Sequence, residues 1–185
     1  MSGKTFDPMR RGAAFGWTNR LERALWQTAW LLLARWTPPP LFGWRRFILR
    51  LFGAHIGDGV RIYASTRIWL PRHLACGDGV IVGPHVRLYN QGHIAIRARS
   101  VISQYAHLCA STHDVRDPGF ALITKPIVIG EGCWVAADAF VGPGVTMETG
   151  AVLGARAALF DRAEADGVYR GNPAVRIATR NWNAG

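Results

Sequence analysis

The chain has 185 residues, 49% of them hydrophobic and 18% charged, with 21 glycines and 10 prolines, a balance that fits one compact domain plus a modest extension and excludes a disordered polymer. The formal charge of +10 invites a nucleic-acid partner, but residues 1–50 hold nine basic side chains against Asp7 and Glu22, and no Lys/Arg cluster elsewhere resembles a nucleic-acid groove, so none is expected. Three cysteines, Cys76, Cys109 and Cys133, with no CxxC pair among them, point to free thiols rather than to disulfides or a zinc clip.

Residues 1–52 form a basic, tryptophan-rich leader that carries Trp17, Trp26, Trp30, Trp36 and Trp44, five of the eight tryptophans. Leu21 to Arg35 reads as an amphipathic helix ended by Pro38-Pro39-Pro40, and Trp44 to Phe52 as a second short helix. The longest apolar stretch, Ala24 to Ala34, is interrupted by Gln27 and Thr28 and falls short of the ~20 residues that cross a membrane. Arg35-Trp36-Thr37 offers no small-residue cleavage site after it, so a cytoplasmic protein is expected. Two roles for the leader stay open: peripheral contact with an anionic membrane surface through residues 1–50, or a cap on the domain that follows.

Residues 53–163 obey a ruler of six. Steps of six from Ile129 land on Val135, Val141, Met147, Leu153 and Leu159, and steps from Ile56 land on Ile62 and Ile68. A two-residue slip restarts the count at Cys76, Val82 and Leu88, and a second slip restarts it at Ile96, Ile102 and Leu108. Four residues after each aliphatic stands a mostly small side chain, and glycines such as Gly57, Gly77, Gly130 and Gly154 follow the aliphatic directly, where a tight corner needs backbone freedom. A period of six matches neither an α-helix nor a meander of hairpins. It predicts an all-β fold, a parallel β-helix of five triangular coils beginning at Ile56, Cys76, Ile96, Ile129 and Met147, with the slips as bulges at one vertex. The phase is lost once, so residues 114–128 are expected to leave the stack as an excursion loop of functional length. Residues 164–185 form a tail, within which 174–181 reads as a short helix.

Ser111-Thr112-His113-Asp114, the run Lys125 to Ala137, Val141-Gly142-Pro143-Gly144-Val145-Thr146 and Gly171-Asn172-Pro173-Ala174 together resemble the left-handed β-helix acyltransferases of the hexapeptide-repeat family. The leader from Pro40 to Ala54 is similar to the branch acting in exopolysaccharide and colanic-acid biosynthesis. The resemblance implies a left-handed crossover, a homotrimer with active sites between neighbouring stacks, and transfer of an acetyl group from acetyl-CoA to a sugar hydroxyl of a glycan, lipid-linked or free. N-acetylation of an amino sugar on the same fold, and a non-catalytic or metal-binding β-helix carrying His85, His107 and His113, are the rival readings.

Acyl transfer to an alcohol needs a base for the hydroxyl proton and donors for the developing oxyanion. By position His113 matches the family's general base, and an imidazole with an ordinary pKa of about 6.5 is mostly neutral at cytosolic pH. Cys109, near His113 in sequence, is an alternative nucleophile, whereas direct transfer is the route the family implies. The family's pattern places Trp134, Ala137 and Ala155 along the CoA arm; where it often has a basic residue directly after Gly-Asn-Pro-Ala this chain has Val175, which leaves Arg176, Arg180 or Arg162 as candidates for the CoA phosphates. Arg156 stands where the family usually has glycine. For the acceptor, the sugar-binding asparagine of galactoside-type members falls on Gly83, leaving His85 and Asn90 as candidates, with Asp114 either orienting His113 or capping the loop. No metal is expected.

Overall fold

The computed structural model describes residues 15–182. The distal leader, with Lys4, Asp7, Arg10 and Arg11, lies outside the described residues. From His55 onward the chain winds into a triangular prism whose three faces are parallel ladders. Face A stacks His55–Ile56, Leu74–Cys76, Ile94–Ile96, Ile127–Ile129 and Thr146–Met147; face C stacks Arg67–Ile68, Arg87–Tyr89, His107–Cys109, Phe140–Val141 and Ala158–Leu159. Face B stacks Arg61–Ile62, Ile81–Val82, Val101–Ile102, Trp134–Val135 and Val152–Leu153, then continues through Gly167–Arg170 and Val175–Thr179. The registers reproduce the ruler, with Ile56 above Cys76, Cys76 above Ile96, Ile96 above Ile129 and Ile129 above Met147. All fifteen ruler positions are buried, so the interior is one column of aliphatic side chains per face.

The irregularities share one edge, that between faces C and A. In the first coil the slip is a single 3₁₀ turn, Pro71–His73; in the second it is the segment Asn90–Gly92. In the third coil the chain leaves altogether. It departs at Ser111 rather than at 114, because Ser111–His113 stays extended and pairs antiparallel with Leu122–Thr124, and Ile127 is already back in face A. The edge between faces B and C is built differently, with non-glycine residues His85, Tyr105, Asp138 and Arg156 all at left-handed φ values of 58–63°. At Gly130, by contrast, an added Cβ would sit 2.7 Å from backbone atoms of Met147 and Glu148 in the next coil, so no side chain fits.

The two ends are closed by chemistry that matches their unpaired groups. Bonds between coils run both ways, as in Arg61 N–H to Val80 O and Gly79 N–H to Asp58 O, but carbonyls of the first coil that face away from the second have no coil in front of them. The leader supplies donors. Helix α1 (Trp17–Leu33) sends the indole N–H of Trp26 to Ile68 O and that of Trp30 to Ala64 O, at 2.8 and 3.2 Å. Helix α2 (Phe42–Leu51) sends Arg45 to Ile62 O, Arg46 to Val60 O and Arg50 to Ile56 O. Arginine and tryptophan donate and do not accept, so the composition of the leader answers the end of the stack. Ile48 and Leu49 of α2 complete the buried plug. At the opposite end Val175–Thr179 is a strand, not the expected helix: it is rich in β-branched residues and pairs antiparallel with Gly167–Arg170. Among the described residues no helix is long and apolar enough to cross a membrane.

Candidate active site

His113 closes the first arm of the hairpin, opposite Leu122, with its side chain exposed. Two contacts fix its ring. Nδ1 lies 2.8 Å from Phe120 O, and the imidazole stacks on the Phe120 ring at 4.2 Å between centroids and 6° between planes. A carbonyl can only accept, so Nδ1 carries the proton and Nε2 presents its lone pair outward, the tautomer a general base requires. Phe120, at φ 50°, gives both the carbonyl and the ring, and the period of six carries no sign of it. Asp114 caps its own turn: its Oδ1 accepts the Arg116 N–H at 2.9 Å, and its carboxylate pairs with the Arg116 guanidinium. That arrangement removes Asp114 from the residues that orient His113. The Cys109 thiol donates to Ser111 O at the hairpin base.

Trp134 projects from face B with its indole N–H on Ser103 Oγ at 2.9 Å and nearly half its surface exposed. Ala137 and Ala155 follow one coil apart at the B/C edge. Among the described residues their backbone N–H groups donate to no group of the chain. Methyl side chains leave that strip open, whereas Pro84 and Gln104 occupy the equivalent corner positions of earlier coils. This edge fits the amide-rich arm of CoA, which needs backbone donors and lateral room. Arg156 leans along it, 3.4 Å from Asp138. The arginines expected at the phosphates are otherwise engaged. Arg176 bonds Glu164 and Thr179, Arg162 pairs with Glu148, and Arg180 donates to Gly132 O and Gly150 O on the A/B edge while stacking on Trp182. Arg170, which sequence reasoning missed, lies directly beneath Gly154, exposed and with no ion pair among the described residues. Its signal in the sequence is Tyr169, the next inward residue under Leu153.

The two acceptor candidates part company. His85 is exposed at the B/C edge, its ring stacked on Tyr105 at 5.0 Å. Asn90 is 0% exposed: Oδ1 accepts from Trp69 N and Leu70 N, and Nδ2 donates to Leu70 O. Asn90 is therefore a clip for the slip between coils, not an acceptor-binding residue. His107 is wedged edge-on between Tyr89 and Phe140, and no group of three or more metal-type ligands occurs among the described residues. His113 on the C/A edge and Ala137 with Ala155 on the B/C edge are separated by the full width of face C, so one chain does not bring them together.

No family model matches the chain. The "Putative colanic acid biosynthesis acetyltransferase WcaF" of Escherichia coli is 47% identical over 162 residues, spanning 88% of this chain and 89% of that protein. The chain belongs to the hexapeptide-repeat acetyltransferases, in the colanic-acid branch. With that membership comes the left-handed form of the parallel β-helix. Galactoside O-acetyltransferase of Escherichia coli is a more distant family member, 25% identical over 65% of this chain and 48% of its own length. Two solved structures share the fold of this acetyltransferase. A galactoside acetyltransferase in complex with coenzyme A superposes with a TM-score of 0.82 at 16% identity, over 91% of this chain and 86% of that one. A hexapeptide-repeat acetyltransferase of Vibrio cholerae complexed with acetyl coenzyme A does so with a TM-score of 0.80 at 16% identity, over 90% and 91%.

Proposed function

We propose that this acetyltransferase moves an acetyl group from acetyl-CoA to a sugar hydroxyl during the synthesis of a surface polysaccharide. The observation that carries the reading is the outward Nε2 of His113, freed by the bond of Nδ1 to Phe120 O. Nε2 takes the hydroxyl proton as the sugar oxygen attacks the thioester carbonyl; the C–S bond then breaks, and the same proton passes to the departing thiolate. No acyl-enzyme is needed, since holding both substrates in one crevice removes much of the entropic barrier. The open N–H groups of Ala137 and Ala155 support the pantetheine arm, Trp134 walls it, and Arg170 meets its phosphates.

A homotrimer is the assembly that fits, because a cyclic arrangement of prisms sets the hairpin of one subunit against the B/C edge of the next and supplies what one chain lacks. The leader adds a peripheral contact with the inner face of the membrane. Trp17 and Trp36 stay 82% and 72% exposed beside Leu21, Leu25, Leu32 and Phe47, although Trp26, Trp30 and Arg45 are spent on the cap.

The test is release of CoA thiol from acetyl-CoA by the whole protein against a panel of sugars, amino sugars and lipid-linked glycans. Thiol release that depends on a hydroxyl acceptor and disappears in His113→Ala supports the reading. Release only with amino sugars moves it to N-acetylation on the same fold, and hydroxyl-dependent release that survives His113→Ala removes the base assignment.

A further inference from the structure

The B/C edge carries a column of corner residues, Pro84, Gln104, Ala137 and Ala155, on successive coils. A repeated bond keeps them in line. Tyr105 N–H donates to Pro84 O at 3.1 Å, Asp138 N–H to Gln104 O at 3.0 Å, and Arg156 N–H to Ala137 O at 3.0 Å. Only Ala137 and Ala155 in this column have methyl side chains, so the open strip ends at Gln104. There a longer, exposed side chain stands on the edge in place of a methyl. Beyond it the edge stays filled. Tyr105 and His85, at φ 63° and 59°, project from successive corners, and their rings stack at 5.0 Å between centroids and 7° between planes. Stacked rings support each other, so Gln104 is backed by a wall stiffer than its own flexible chain.

The open strip is as long as the arm that the acetyltransferase reading lays along it. Arg170, beneath Gly154, is three coils from Gln104, and steps of ~4.8 Å make that a rise of ~14 Å. From phosphate oxygen to sulfur the pantetheine arm counts about twelve bonds, the span of about four residues of extended chain or ~14 Å. An extended arm with its phosphates at Arg170 therefore brings its thioester up against Gln104.

We propose that Gln104, backed by the Tyr105–His85 stack, is the stop that limits the transferred acyl group to acetyl. The inference rests on the acetyltransferase reading given above and names the residue that sets its donor specificity. A longer acyl chain has no other course. Sliding the arm down the edge would pull the phosphates away from Arg170. Turning onto face C leads into a cavity of about 390 Å³ where Tyr105 and Phe140 stand among Arg67, Arg87, His107 and Asp138. Desolvating those charged groups costs more than a few buried methylenes return.

The probes are acetyl-CoA, propionyl-CoA and butyryl-CoA, titrated without a sugar into the full-length protein and followed by calorimetry or tryptophan fluorescence. The wild type should bind acetyl-CoA at least about tenfold more tightly than butyryl-CoA, with propionyl-CoA between them, because surplus methylenes meet a filled wall. Gln104→Ala prolongs the methyl strip by one coil and should bring acetyl-CoA and butyryl-CoA within about threefold of each other. Gln104→Leu restores the bulk without the amide and should restore the discrimination. Melting should stay unchanged in both variants, since the side chain is exposed. Equal binding of acetyl-CoA and butyryl-CoA by the wild type, discrimination that survives Gln104→Ala, or its loss in Gln104→Leu would overturn the proposal and leave the acetyltransferase reading standing. Failure of the folded wild type to bind any of the three would sink both.

Discussion

Replacing Asn90 by alanine separates a structural clip from an acceptor-binding residue, and the size of the effect follows from the bonds lost. Leu70 N–H has Asn90 Oδ1 as its partner and would be left buried without one, at a cost of about 1–3 kcal/mol. Trp69 N–H also reaches Leu88 O, and Leu70 O also receives His73 N–H, so each loses one of two partners, at about 0.5–1.5 kcal/mol apiece. The total is about 2–6 kcal/mol, and a chain of this size loses about 2–4 °C of Tm per kcal/mol. Thermal melting should therefore fall by at least about 4 °C, while KM for the sugar in the folded protein stays at its wild-type value. An unchanged melting temperature together with a raised acceptor KM would refute the reasoning and return Asn90 to the binding site.

Three further outcomes follow from the site and its surroundings. His113→Ala should lower kcat by roughly 10²–10⁴ with melting unchanged, because the ring is exposed on the hairpin; stopped-flow or endpoint thiol assays with differential scanning fluorimetry check both halves. Arg170→Ala should raise KM for acetyl-CoA several-fold at constant kcat, and it should leave KM for dephospho forms lacking the matching charge less affected, as read by paired titrations. Stability should decline as the pH falls below about 6.5. Burial and the adjacent His93 hold the His73 pKa below its ordinary value, so the unfolded chain binds the proton first; stability is full above the unfolded pKa and lost on descent through the folded one. His107 acts with the same sign, so His73→Gln should reduce, not abolish, the drop in urea midpoint between pH 7.5 and 5.5.

The architecture was legible because every coil repeats the same physical demand: one aliphatic side chain per face pointing at the axis. Even Cys76 and Met147, which break the aliphatic rule, sit in the column, and burial drives the Cys76 thiol up to about 12, as befits a packing residue. Features outside that demand were not legible. The hairpin starts three residues early because antiparallel pairing of Ser111–His113 has a period of two, which a ruler of six does not register. Asn90 reads as an acceptor candidate in the sequence because its partner, the Leu70 backbone, is stranded only once the slip has been folded. The basic leader was ambiguous for a deeper reason. Arginine and tryptophan serve a lipid headgroup and an unpaired carbonyl equally well, and only the contacts of Arg45, Arg46, Arg50, Trp26 and Trp30 reveal how many of them the cap consumes.

The separation of His113 from the open N–H groups of Ala137 and Ala155 yields the most decisive test of assembly. Between the B/C edge and the hairpin base lie about six residues of extended chain, roughly 20 Å, and the coil between them is a rigid ladder that does not fold back. A thioester lying along the edge of its own subunit is therefore out of reach of that subunit's imidazole. If neighbouring chains supply the two halves, an inactive His113→Ala protein and an inactive Ala155→Phe protein, whose ring blocks the edge, must rescue each other when unfolded together and refolded as a mixture. In a cyclic trimer with random mixing, about one site in four joins an intact hairpin to an intact edge, so activity should return to about a quarter of wild type. The same proteins refolded apart and then mixed should stay inactive until subunits exchange. Zero recovery after co-refolding, with trimers demonstrated by light scattering, would mean that each chain completes its own site, and the arrangement of substrates along these two edges would have to be abandoned.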